Sequence, residues 1–478
     1  MMSFKVYKWS FIERILVQLF QLIIIITLSR FLTPDDFGLF GLSAVTISIA
    51  QVFVDGGFSA ALIRKKTHSD VELNSVFIIN IFIALLLISL VLVCSPLIEN
   101  YFNIDGLANL LNLSSLVILI NAFSVIPKVV LTVNLNFRGI AESSLIAVLS
   151  SGILSIILAV NNFGASTLVF QLMIYNLINL ILIIAKSKWL PRKCFDMQSV
   201  KELCNFSIKL FASGLLDALY QNIYLVLIGK LMSVHDVGIF AQAKKLSDIP
   251  ALTITTALQR ANLAATSKLD ENDDIKKSVL KTLQLGMFIM APAMFFIISS
   301  SEPLVNVLLG DKWKSVSGVI TILSLSGLCY PIHVLNQNIL IIKGRSDLHL
   351  KLEIVKKCVG LVLIFITISH GLTWLCWGIV ISSILSIFVN AYYSNNLVHV
   401  TICEQLKVCI TPIFLAIISL IISTLLCSIP INSCTLIFLN IKDVLLSAVT
   451  FMIVFVVAIS YFCRKEIFFE EIKIKGLT

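Results

Sequence analysis

The chain is 478 residues long, 58 % hydrophobic and 13 % charged, with a formal net charge of +9 and a mean hydropathy of +0.99. A water-soluble domain carries roughly 25 % charged residues, so an ordinary soluble fold is excluded and the bilayer is this protein's solvent. The basic excess needs no nucleic-acid partner, because cations at membrane ends account for it.

Apolar runs recur along the whole chain, each long enough to cross a hydrocarbon core of about 30 Å. Fourteen are read, at 10–29, 38–62, 76–95, 112–133, 143–161, 167–185, 208–229, 238–262, 279–299, 316–341, 352–370, 373–394, 409–428 and 441–463. Lys5 and Lys8 precede the first run, which is of spanning length and meets no small-residue cleavage site, so it reads as a retained helix. In the second run Asp55-Gly56-Gly57 predicts a bend or a close approach. Pro127, Pro250, Pro292 and Pro331 mark bending points in runs four, eight, nine and ten. His333 reads as a buried neutral histidine, with titration in a coupling cycle as the alternative. The longest polar stretches, 186–202 and 267–277, are linker-sized, so no soluble domain interrupts the pattern. Runs thirteen and fourteen are joined by the uncharged stretch 428–440, and 467–473 reads as a short amphipathic surface segment.

Eleven cysteines form no CxxC or Cys/His cluster. Cys94, Cys329, Cys376 and Cys463 read as packing residues, and Cys427 and Cys434 as unpaired although they flank one loop. No metal or cofactor is implied. With the N-terminus inside, 26 of the 36 lysines and arginines fall on inward segments and five on outward ones. The positive-inside rule then predicts both termini in the cytoplasm of a bacterial inner membrane.

The stretch Ser29-Arg30-Phe31-Leu32-Thr33-Pro34-Asp35-Asp36-Phe37-Gly38-Leu39-Phe40 returns, at a shift of 200, as Gly229-Lys230-Leu231-Met232-Ser233-Val234-His235-Asp236-Val237-Gly238-Ile239-Phe240. Pro96 and Arg138 are echoed by Pro303 and Arg345 at a shift of 207. The repeat predicts an all-α polytopic membrane protein with two six-helix lobes and two extra C-terminal helices. The boundaries are 1–190 for the N-lobe, 191–207 for a cytoplasmic linker, 208–394 for the C-lobe and 395–478 for the rest. Thr33 to Asp36 and Ser233 to Asp236 read as helix N-caps.

The same residues carry a family resemblance. Arg30 to Gly38, Asp55-Gly56-Gly57-Phe58 with Ala61-Leu62-Ile63, Leu309-Gly310-Asp311-Lys312-Trp313 and Lys343-Gly344-Arg345 resemble the polysaccharide exporters of the multidrug/oligosaccharidyl-lipid/polysaccharide superfamily, and within it the Wzx-type oligosaccharide flippases. The resemblance covers nearly the whole chain and implies a cleft between two lobes.

An ionised side chain costs about 2.5–3.5 kcal/mol at mid-membrane on insertion scales, so embedded charges should turn away from lipid. Lys128 lies in run four, Lys209 and Asp217 in run seven, and Lys244, Lys245, Asp248 and Arg260 in run eight. Lys209, Ser213, Asp217, Gln221 and Tyr224 form one helical stripe; Arg14, Gln18 and Gln21 form another, and Ser48, Gln51 and Asp55 a third. These stripes are expected to line one cavity. The cations Arg14, Lys128, Lys209, Lys244, Lys245 and Arg260 outnumber Asp55, Asp217 and Asp248, which favours an anionic cargo. The cations are expected to hold the diphosphate of a polyprenyl-linked oligosaccharide while Gln21, Gln51 and Gln221 meet the sugar. A self-neutralising i,i+4 pair of Lys244 and Asp248 is the competing reading, and Arg14 and Arg260 lie within snorkelling reach of the inner surface.

The function expected is translocation of lipid-linked oligosaccharide from the cytoplasmic to the periplasmic leaflet by alternating access, without covalent chemistry. A proton or sodium ion is the candidate coupling ion; membrane lipid and other polysaccharide assembly proteins are the expected partners. The alternatives are an antiporter of drugs or metabolites in the same superfamily, whose cavity should be acid-rich, and a membrane polymerase, which usually needs large outward loops.

Overall fold

The computed structural model describes residues 2–65, 69–192, 194–267, 269–427 and 441–453; the side chains of 2–15, 205 and 346 lie outside the described set. The fold is all-α, with no strand among the described residues. In order the helices are α1 (Met2–Phe31), α2 (Pro34–Asp55), α3 (Phe58–Arg64), α4 (Asp70–Phe102), α5 (Leu107–Val133), α6 (Phe137–Val160), α7 (Ser166–Ser187) and α8 (Met197–Leu231). They continue as α9 (Val234–Thr266), α10 (Asn272–Ser299), α11 (Ser301–Leu308), α12 (Val316–Gly327), α13 (Tyr330–Ile342), α14 (Ser346–Thr367), α15 (Leu372–Val398) and α16 (Ile402–Cys427). Residues 441–453 are also helical. Each of the first thirteen apolar runs coincides with a helix or a broken pair, and the fourteenth is described only over 441–453. Ten spans among the described residues are long and apolar enough to cross a membrane, α12 and α13 counting together as one. The amphipathic segment read at 467–473, Cys434 and Cys463 fall outside the described residues.

Burial is inverted relative to a water-soluble protein. Phe82, Val93 and Leu97 of α4, Phe365 of α14, Phe388 of α15 and Phe414 of α16 are all exposed, as expected where hydrocarbon is the solvent. Small polar residues go inside instead. In α6, Ser143, Ala147, Ser151, Ser155 and Ala159 recur every four residues and are buried, and α6 packs against α1. A Cβ on Gly152, next to this stripe, would lie 2.4 Å from Ile24 Cδ1. Close backbone approach over small side chains is how membrane helices associate when the hydrophobic effect between them is absent.

The chain divides into two compact units, Met1–Ala241 and Gln242–Thr478. In the first, α4 packs on α5, α5 on α7, and α6 on α7; in the second, α10 packs on α12 and α13, these on α15, and α14 on α15. The packing partners thus recur in the same chain order.

Three local features follow from sequence chemistry. Thr33 caps α2 in a capping box, accepting from the Asp36 N–H while its own N–H donates to Asp36 Oδ2 at 2.9 Å. Ser233 Oγ accepts from the Asp236 N–H at 3.1 Å, so both copies of the hairpin are caps, as read. The second run breaks at Gly56 and Gly57, whose φ of 53° and 76° are left-handed, a region glycine enters without penalty. A Cβ on Gly57 would lie 2.6 Å from Ser207 O, so this bend is also a close approach to α8.

Run ten differs from expectation: it is not one bent helix but α12 and α13, separated at Leu328 and Cys329, with Pro331 at the second position of α13. A ring that removes an N–H and clashes with the preceding turn is accommodated at a helix start, and the chain restarts there.

Candidate functional site

A cavity of about 530 Å³ opens within the first unit among α2, α3, α5 and α7. Gln51 and Asp55 reach it from α2, Ser59 from α3, Asn121, Ser124, Lys128 and Thr132 from α5, and Tyr175, Asn176 and Asn179 from α7. On α5 the spacing of three, four and four places these side chains on one face. Pro127, buried beside Lys128, takes a backbone N–H out of that helix. The Gly56-Gly57 break turns α3 so that Ser59 Oγ donates to Asp55 Oδ1 across the bend. Asp55 is therefore engaged by its own chain, and no ion pair joins it to Lys128 among the described residues. Lys128 is exposed. Two carbonyl oxygens in the lining, Gln51 Oε1 and Asn179 Oδ1, are buried without a protein donor.

The structure thus brings Gln51, Asp55 and Lys128 together from runs two and four. Ser48, read as part of the Gln51 stripe, instead accepts from Asn222 Nδ2 of α8 at 3.1 Å. Gln21 is half-buried on α1 and does not line this cavity. On α8, Lys209, Ser213, Asp217 and Gln221 are all exposed while Tyr224 is buried. The first four members share one exposed face, and the stripe turns inward at its last member, where Tyr224 stacks on Phe240 with centroids 6.0 Å apart.

Lys244, Lys245, Asp248 and Arg260 of α9 fall in the second unit. Lys244 Nζ lies 3.0 Å from Asp248 Oδ2, so the i,i+4 pair forms. The other Asp248 oxygen accepts from Tyr330 Oη at 3.0 Å. With both oxygens engaged, this carboxylate neutralises Lys244 and leaves Lys245 and Arg260 as exposed cations with no carboxylate partner among the described residues. Arg14 has its side chain outside the described set. His333 Nδ1 accepts from Asn390 Nδ2 at 2.8 Å and Nε2 faces Ser383 Oγ at 3.0 Å. That pattern fits a neutral ring protonated on Nε2.

Asn121, Tyr175, Asn176, Asn179 and Asn222 escaped a sequence search centred on charge. The available signal was the cluster Gln171, Tyr175, Asn176 and Asn179 at helical spacing inside an apolar run, since carboxamides are also costly in hydrocarbon unless they find partners.

A family model described as a polysaccharide biosynthesis protein matches residues 27–318. The chain is 24 % identical over 344 residues to the teichuronic acid biosynthesis protein TuaB of Bacillus subtilis (strain 168), a match covering 71 % of each chain. It is 24 % identical over 357 residues to the lipopolysaccharide biosynthesis protein WzxC of Escherichia coli (strain K12), covering 73 % of this chain and 72 % of that one. A solved structure of the lipid II flippase MurJ in an inward closed conformation superposes with a TM-score of 0.74 at 15 % identity, over 97 % of this chain and 99 % of the other. At that identity the likeness concerns the fold, and it makes this chain an all-α multi-pass membrane protein. The family match takes in both hairpin copies, all four cavity helices and α9, and the chain belongs to the polysaccharide biosynthesis protein family.

Proposed function

We propose that this protein translocates polyprenyl-diphosphate-linked oligosaccharide units from the cytoplasmic to the periplasmic leaflet of a bacterial inner membrane. The observation that carries this is the charge left after pairing. Asp248 is used by Lys244 and Tyr330, whereas Lys209, Lys245 and Arg260 have no carboxylate partner among the described residues. Unpaired cations in membrane helices attract an anionic cargo, and a lipid diphosphate supplies that charge at the bilayer. The similarity to proteins named for teichuronic acid and lipopolysaccharide biosynthesis supports the same cargo class.

Exchange between leaflets breaks no covalent bond, so alternating access by lobes at 1–190 and 208–394 is the mechanism assigned, with both termini cytoplasmic. A proton or a sodium ion is the candidate driver, and the proteins that polymerise the exported unit are the partners. An antiporter of organic cations fits poorly with unpaired lysines. A polymerase fits poorly with the outward 309–314 segment, where Trp313 is fully buried and Asp311 pairs with Lys314 at 3.3 Å.

Deleting the gene and labelling the lipid-linked units by leaflet tests this reading. Intact units should collect on the cytoplasmic face with loss of surface polymer; normal arrival at the periplasmic face would refute it. Lys245→Gln, expressed at wild-type level, should reproduce the deletion.

A further inference from the structure

The chemistry of the cavity in the first unit differs from that of the cations on α8 and α9. Carboxamides and hydroxyls dominate its polar lining, with one cation and one acid that do not pair. Its two buried carbonyl oxygens, Gln51 Oε1 and Asn179 Oδ1, need hydrogen-bond donors. An ionised diphosphate offers acceptors alone and cannot meet that need. An organic cation would meet Lys128 in the same lining, so Asp55 gives the cavity no net negative charge to hold it. Sugar hydroxyls donate and accept at once, as carboxamides do, and Tyr175 adds a ring against which the C–H face of a pyranose can lie. The volume of about 530 Å³ lies within the range of about 300–1,000 Å³ typical of small-molecule clefts.

We propose that this cavity is a subsite for the glycan of the cargo, distinct from the cations that take its diphosphate. Asn121 and Asn176 exchange hydrogen bonds with sugar hydroxyls, and Gln51 and Asn179 turn their unpartnered carbonyl oxygens to accept from them. Lys128 belongs to this glycan subsite and not to the diphosphate group. The proposal rests on the lipid-linked oligosaccharide reading.

The test is equilibrium binding to the full-length protein in lipid nanodiscs, with two probes: the lipid-linked oligosaccharide fraction extracted from gene-deleted cells, and polyprenyl diphosphate bearing no sugar. Wild type should bind the glycosylated lipid more tightly than the bare one by about tenfold or more, the size of one or two neutral hydrogen bonds. Asn176→Leu with Asn179→Leu should bring the two affinities together while the bare lipid still binds as to wild type, which also certifies the fold. Asn121→Leu, read in the same way, serves if the double variant does not assemble. A preference for the glycosylated lipid that survives these substitutions, or no preference in wild type, overturns the subsite and leaves the flippase reading intact. Failure of wild type to bind either lipid overturns both.

Discussion

Gly38 and Gly238 occupy equivalent positions in the repeat, and the structure sets them against each other. A Cβ on Gly38 would lie 1.9 Å from Val234 O, and one on Gly238 would lie 1.9 Å from Pro34 O. Both obstacles are backbone, so neither can be relieved by rotating a side chain. Gly238→Ala should therefore destabilise the protein by at least about 1–3 kcal/mol, the usual cost of overpacking. Gly318 is a contrast: it is helical with nothing within 4 Å of its added Cβ, and Gly318→Ala should be neutral or stabilising by about 0.5–1 kcal/mol. Thermal unfolding of the two purified variants, followed by fluorescence-detected size exclusion, checks the pair. That both hairpins contain a glycine was legible in the chain. That each glycine is needed by the other hairpin was not, because the contact joins residues about 200 positions apart.

Among elements, the α2 start is secured by the Thr33 and Asp36 box, and the α9 start by Ser233 and Asp236. Thr33→Ala and Ser233→Ala should each cost about 1 kcal/mol in the same unfolding assay. His235 Nδ1 lies 3.5 Å from Asp35 Oδ2, so the two losses should not add. At the start of α8, the Asp196 carboxylate accepts from the Ser199 hydroxyl and from the N–H groups of Ser199 and Gln198. These bonds, the Ser199 hydroxyl first, hold its carboxyl below the ordinary range. A depressed folded pKa means that the stabilisation is complete above the unfolded carboxyl value of about 4 and is lost as pH falls further through the folded one. The melting gap between wild type and Asp196→Asn should accordingly be widest near neutral pH and close in acid. Caps of this kind were readable because they need only local sequence. The division of run ten into α12 and α13 was only half readable: Pro331 announced a disturbance, but whether a helix bends or restarts depends on what packs around the freed carbonyl.

For the whole molecule, the distribution of lysine and arginine predicts that a green fluorescent protein fused at the C-terminus will fluoresce and that alkaline phosphatase fused there will be inactive; the opposite pattern would invert the topology. The inverted burial, with phenylalanines outside and serines inside, belongs to the same scale. It makes the protein depend on lipid or detergent for its solvent, and it makes small-residue faces such as that of α6 sensitive to enlargement. Ser151→Leu should separate α6 from its neighbours and reduce the amount of folded protein by more than Ile153→Ala, since Ser151 is buried and Ile153 is exposed.

The chain alone determined the solvent, the all-α class, the repeat and the set of embedded charged residues, because hydropathy, helical period and capping are local properties of sequence. Tertiary structure alone decided which of those residues meet. It placed Lys128 with Asn121, Asn176 and Gln51 around one cavity, set Tyr330 on Asp248, and left Lys209 and Lys245 exposed. The physical reason is that a helix fixes the angle between its own side chains but not its rotation about its axis. That rotation is set by packing against helices far away in the chain, and it decides which polar face is buried against which.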